Sequence, residues 1–115
     1  MSMDSILRKK GMLEILFDLK EEGERTFTDI MNAVRLSMSA IVARLREAEA
    51  YGLIKRNAGL NDGKVRVTYV LTKKGEEVLN KILEDTRIKE VVMLCRDLKR
   101  KTNELEKKLD HLLNG

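Results

Sequence analysis

The sequence predicts a mainly α fold with a small β-hairpin, an α+β domain continued by one long helix. Three observations carry this. Apolar residues recur at helical spacing through the first half of the chain. One segment, Lys64 to Leu71, alternates with a period of two. From about residue 85 to the end the pattern is helical without a break.

The first helix starts near Asp4 or Ser5, either of which can cap it, and carries Ile6, Leu13, Leu16, Phe17 and Leu19. Gly11 interrupts it at a cost of about 1 kcal/mol relative to alanine, which predicts a loose start. Gly23 is its stop. Thr26-Phe27 is a short extended piece, and Thr28 caps a second helix carrying Ile30, Met31 and Val34. Arg35-Leu36-Ser37 is a tight connection, with Leu36 available to the core. Ser37 caps a third helix that runs to about Tyr51, and Gly52 ends it where a left-handed residue is favoured. A short strand, Leu53 to Arg56, and a glycine- and Asx-rich loop over 57–63 lead to the alternating strand. There Val65, Val67, Tyr69 and Leu71 share the half-buried face, and Lys64, Arg66, Thr68 and Val70 the other. Thr72 caps a further helix with Val78, Leu79, Ile82 and Leu83 apolar. A composition shift near Asp85 divides a mixed domain, 1–84, from a purely helical tail, 85–115.

At 115 residues the chain has room for about one domain and one core. Charged residues make up 37% and aromatics 3%, with no proline or tryptophan, which suits long charge-laced helices. The net charge of +4 permits nucleic-acid binding, and its distribution says more. Residues 11–34 hold two basic and six acidic side chains, a net −4; residues 35–74 hold nine basic and three acidic, a net +6. The first eleven residues lack an apolar signal-peptide segment, and no apolar run approaches the roughly 20 residues that span a membrane. A soluble, cytoplasmic protein is expected. Cys95 is the single cysteine, so no intrachain disulfide can form.

Three helices, a hairpin and a closing helix are the element order of a winged helix-turn-helix. Leu36 to Arg46, then Tyr51-Gly52-Leu53-Ile54-Lys55-Arg56, then Tyr69-Val70-Leu71-Thr72-Lys73-Lys74-Gly75-Glu76-Glu77-Val78-Leu79 resemble the MarR, HxlR and PadR regulators. The resemblance covers about residues 12–84 and implies a DNA-binding transcription regulator, with a recognition helix at about 37–51 and a wing at about 55–71.

The residue pattern agrees with that implication. On the third helix Ile41, Leu45 and Ala48 fall on one face and belong to the core. Ser39, Ala43 and Arg46 fall opposite, with Ala40 beside them. This face is small at its N-terminal end, so the backbone can enter a major groove closely. Ser37 and Ser39 can donate to phosphates or base edges, Arg46 can reach guanine or phosphate, and Arg44 lies on the flank, nearer the DNA backbone. The wing supplies Lys55 and Arg56 on its first strand and Lys64 and Arg66 on its second, for phosphates or the minor groove. These charges also guard an edge strand against aggregation.

In the tail, Ile88, Cys95, Thr102 and Leu109 occupy heptad a positions, and Val91, Leu98, Leu105 and Leu112 occupy d positions. This stripe has two outlets: the same helix of a second chain, or the chain's own domain. A homodimer is the favoured reading. The e and g charges are too few to set parallel or antiparallel pairing. Resemblance supplies two models. Small PadR- and HxlR-like regulators dimerise through helices flanking the wing domain, and some archaeal chromatin proteins join a winged helix to a C-terminal antiparallel coiled coil.

The sequence has no Gly-rich phosphate loop, HExxH or CxxC, and His111 and Cys95 are its only soft metal ligands. Neither enzyme activity nor a cofactor is expected, and His111 reads as a solvated helix-end residue. The leading function is a homodimeric regulator of double-stranded DNA at a pseudo-palindromic site. The alternatives are a low-specificity chromatin protein and a protein-binding winged-helix module. Charge segregation around the third helix and wing argues against the last.

Overall fold

The computed structural model describes residues 2–115. The elements run α1 (Met3–Leu7), α2 (Met12–Glu22), β1 (Arg25–Thr26), α3 (Phe27–Ala33), α4 (Met38–Ala50), β2 (Ile54–Asn61), β3 (Lys64–Leu71), α5 (Lys73–Ile82) and α6 (Thr86–Asn114). The strands form one antiparallel sheet in the order β1-β3-β2. The core lies between α2, α3, α4, α5 and the base of the hairpin, filled by Ile15, Leu16, Leu19, Ile30, Ile41, Leu45, Leu53 and Leu79. No helix among the described residues is long and apolar enough to cross a membrane.

The expected first helix is two helices. Gly11 stands at φ 84, a left-handed conformation, and caps α2. A side chain there would meet Leu36 Cδ1 at 2.1 Å. Leu36 thus packs into the notch that Gly11 leaves, and the chain must turn. The expected looseness before Gly11 is not found over α1, since Ile6 is 1% exposed and belongs to the core. The cap of α3 is Thr26, not Thr28. Thr26 Oγ1 accepts from the Asp29 N–H (3.1 Å) and an Asp29 carboxylate oxygen accepts from the Thr26 N–H (3.0 Å), a reciprocal capping box. Those bonds hold the Asp29 carboxyl below its ordinary range.

Ser37 and Thr72 cap α4 and α5 as expected. Thr72 Oγ1 donates toward the Gly52 and Leu53 carbonyls and accepts from the Gly75 N–H (3.0 Å). A Cβ on Gly75 would stand 2.0 Å from the Leu53 carbonyl oxygen. The glycine of the Thr-Lys-Lys-Gly segment therefore lets α5 touch the strand entry backbone to backbone.

The expected loop over 57–63 is mostly strand. β2 pairs with β3 from Ile54↔Leu71 to Asn61↔Lys64, leaving a two-residue Asp62-Gly63 turn. Both turn residues have positive φ, 53 and 77, which matches the twist of the strands. The hairpin outruns the core, so the expected half-buried face is buried only at its base. Val65 is 73% exposed, and Thr68, expected to face outward, is buried where β3 pairs with β1, and its hydroxyl donates to Glu24 (2.6 Å).

The tail is one helix capped by Asp85. Along its first two-thirds, Ile88, Val92, Arg96 and Asn103 face the domain. Ile88 and Val92 pack on the core. Arg96 pairs with Glu22, lies 3.8 Å from Asp18 and sits 5.7 Å above the Phe17 ring centre. Asn103 Nδ2 donates to the Asn32 carbonyl in α3 (2.7 Å). Burial pushes the fully enclosed Asp18 carboxyl up, against the opposing pull of Arg25, whose Nε lies 3.1 Å away, and of Arg96.

Candidate nucleic-acid interface

The helix-turn-helix is α3 and α4, and α4 is positioned by its inner face. Ile41, Leu45 and Ala48 are each at most 2% exposed, as their spacing predicts. That orientation turns Ser39 and Arg46 outward, with Ala40 and Ala43 half-buried beside them. At the N-terminus, Ser37 Oγ accepts from the Ala40 N–H (3.2 Å) and lies 3.3 Å from Ser39 Oγ. One of these two hydroxyls donates to the other, which leaves the second hydroxyl able to donate elsewhere.

Met38, which the sequence pattern did not single out, is 60% exposed between the two serines. Its position at the first turn of a capped helix was the one signal for it. A flexible apolar side chain there suits a thymine methyl or another groove-wall carbon.

Arg46 and Arg56 come together. They line one cleft of about 300 Å³ between α4 and the hairpin, with Phe27, Val42, Glu49 and Tyr69. Arg56 projects from the same face of the hairpin as Tyr69, its cross-strand partner. Lys55, Lys64 and Arg66 lie on the opposite face, whose cross-strand pairs are Lys55↔Val70, Asn57↔Thr68, Gly59↔Arg66 and Asn61↔Lys64. The expected hairpin cations are thus divided between two faces, and all four are exposed.

Arg44 does not join this set. Its side chain is 17% exposed and its Nη2 lies 2.8 Å from Glu47 Oε1, while Glu47 Oε2 holds Lys9 Nζ at 3.0 Å. Burial pushes the Glu47 carboxyl up, but the bonds from Lys9 and Arg44 outweigh it and leave it below the ordinary range. Glu47, through Lys9, ties α4 to the α1–α2 connection, and Arg44 is engaged by that same carboxylate within α4. By contrast, Arg46, Lys55, Arg56, Lys64 and Arg66 have no ion pair among the described residues.

Of the tail residues expected at a dimer seam, Val91 (59%), Leu98 (50%), Leu105 (65%), Leu109 (57%) and Leu112 (80%) are exposed in the single chain, and so is Thr102, whose hydroxyl donates to the Leu98 carbonyl. Leu94 and Leu113 widen the stripe. Ile88 and Cys95 are half-buried toward their own domain. With Leu7, Leu13, Val91 and Val92 they line an open groove of about 690 Å³ beside the α1–α2 turn. Burial there pushes the Cys95 thiol up, as does the nearby Glu14 carboxylate, so the thiol form is favoured at neutral pH.

The sequence and the fold match known regulators. A family model described as HxlR-like helix-turn-helix matches residues 6–89. The relative named Uncharacterized HTH-type transcriptional regulator MJ0925, from Methanocaldococcus jannaschii, is 40% identical over 84 residues, 69% of this chain and 71% of that one. The reduced form of the transcriptional regulator YodB from B. subtilis is 27% identical, with a TM-score of 0.63 over 74% of this chain and 81% of that one. A MarR-family regulator from Enterococcus faecalis V583 is 25% identical, with a TM-score of 0.66 over 78% and 81%. The chain belongs to the HxlR-like helix-turn-helix family and is a transcriptional regulator of the winged-helix type.

Proposed function

We propose that the chain binds double-stranded DNA sequence-specifically as a homodimer, with α4 in the major groove and the hairpin on the backbone or in the minor groove. Residues 1–84 form the reading module, and the helix from residue 85 pairs two copies. One observation carries the DNA reading. Arg46 and the four hairpin cations are exposed and unpaired around a small helix face, while Arg25, Arg44 and Arg96 are held by carboxylates of the body. Unpaired cations arranged along one helix and one hairpin are what a phosphate track needs. The α4 N-terminus adds the positive end of its dipole.

Pairing is supported by the outward stripe of α6, an apolar surface longer than a single soluble helix ordinarily leaves in water. It runs into the groove beside α1 and α2, so one continuous surface is available to a second copy. The outer face of α4 and the stripe lie on different elements, so both can be occupied at once.

Footprinting on genomic fragments tests the reading. A short protected site with two-fold symmetry is expected. Continuous coverage would indicate a chromatin protein, and absence of binding to any duplex at low salt would indicate a protein-binding module.

A further inference from the structure

Near the hairpin tip, Leu60 is 78% exposed and Val65 73%, and they are direct cross-strand partners. They form the last pair of that face before the Asp62-Gly63 turn, with Ala58↔Val67 behind them. Cross-strand neighbours on one face lie about 4.5–5.5 Å apart, so the two side chains make a single apolar knob. The other face carries Lys64 and Arg66 with Asn57, Gly59 and Asn61. The tip is therefore two-sided, apolar on one face and cationic on the other.

A phosphate track gains from Lys64, Arg66 and the asparagines but nothing from leucine and valine. The knob needs a surface of carbon flanked by negative charge. Deoxyribose walls in a DNA minor groove provide that combination. The reach also fits. Six residues of extended chain separate Ile54, buried at the base, from Leu60, about 20 Å at roughly 3.3 Å per residue. Half a turn of DNA, the offset from a major groove to the next minor groove, is about 17 Å. A leucine side chain fits a groove about 6 Å wide, whereas a two-stranded hairpin does not. Entry must widen the groove, which unstacks a base step and bends the duplex.

We propose that the Leu60–Val65 pair is an apolar wedge that enters the minor groove and bends the DNA, flanked by phosphate contacts from Lys64 and Arg66. This rests on the DNA-binding reading above. The test uses the full chain and a 40-base-pair duplex selected by the protein itself from a random pool, with dyes at both ends. Anisotropy at several salt concentrations gives affinity and salt slope, and energy transfer gives the bend. The variants are L60A/V65A and L60T/V65T; threonine keeps the strand preference, so loss in both does not trace to a frayed hairpin. Both should bind about tenfold more weakly with an unchanged salt slope and a smaller bend. Wild-type affinity and bend in the threonine variant would overturn the wedge while leaving DNA binding intact. A flattened slope would also overturn it, because the pair would then serve only to place Lys64 and Arg66. If the wild type selects no duplex, the DNA-binding reading itself fails and takes the wedge with it.

Discussion

Replacing Leu98 and Leu105 with lysine separates what the tail does from what the domain does. Leu98 is 50% exposed and Leu105 65% in the single chain. Full burial of a leucine contributes about 1.5–3 kcal/mol, so covering the remaining half to two-thirds contributes about 0.8–2 kcal/mol each. Four such leucines per dimer give about 3–8 kcal/mol, equivalent to about 10²–10⁶-fold in dissociation constant. The substitutions leave Ile88 and Val92, which hold α6 to its own domain, untouched. The expected product is a folded monomer with a wild-type circular dichroism spectrum. Two joined modules make the second half-site contact intramolecular, which raises affinity by about 10²–10⁴, and the monomer should lose that factor and its preference for half-site spacing. Light scattering decides the matter. A wild-type monomer at tens of micromolar, or a double variant that stays dimeric, would refute the reasoning.

The other predictions concern the reading surface and the groove. K64A/R66A should weaken binding to all duplexes alike and flatten the log–log salt slope by about 0.9 for each phosphate that is no longer neutralised; an unchanged slope in a salt titration would remove this face of the hairpin from the interface. R46A should cost about 1–3 kcal/mol and relax specificity at one base position if Arg46 reads a base, measured by binding to single-base variants of the site. A43E should abolish binding without altering the thermal melt, and tight binding by it would mean that another face of α4 meets DNA. Glu14 lines the groove, and burial pushes its carboxyl up despite Arg35 and Lys10. Its raised native pKa means that its contribution to stability is full below the unfolded value, about 4.3, and is lost as pH rises through the native value. E14Q should therefore be more stable than wild type in urea melts at pH 7.5, with the difference gone at about pH 4. A less stable E14Q at pH 7.5 would contradict this.

Local signals in the sequence were legible wherever a single residue type performs one local task. Ser37 and Thr72 were readable as caps because capping needs only the next three residues. The core face of α4 was readable because Ile41, Leu45 and Ala48 repeat at helical spacing. Two local signals were present and outcompeted. Asp29 stands three residues after Thr26, which completes a capping box that Thr28 lacks. Asp62-Gly63 is a hairpin dipeptide, but Asn57, Gly59 and Asn61 gave the whole stretch the composition of a loop. Other features depended on contacts distant in sequence. That Gly11 must turn follows from Leu36, 25 residues on. That Arg44 is withdrawn from the candidate interface follows from Glu47 together with Lys9.

The long helix is where a one-dimensional pattern fell short most usefully. The heptad stripe and the domain-facing row interleave on one helix, offset by a single residue: Val91 faces out and Val92 packs in. Folding back and pairing were alternatives in the sequence, yet the geometry allows both, on different faces. The inward row also ties α6 to α2 through Arg96 and to the helix-turn-helix through the bond from Asn103 to the Asn32 carbonyl of α3. These contacts fasten the pairing helix to the domain that carries the reading helix. In the proposed dimer, the distance between the two α4 helices is therefore set by how the two α6 helices cross, and a shift in that crossing translates directly into half-site spacing.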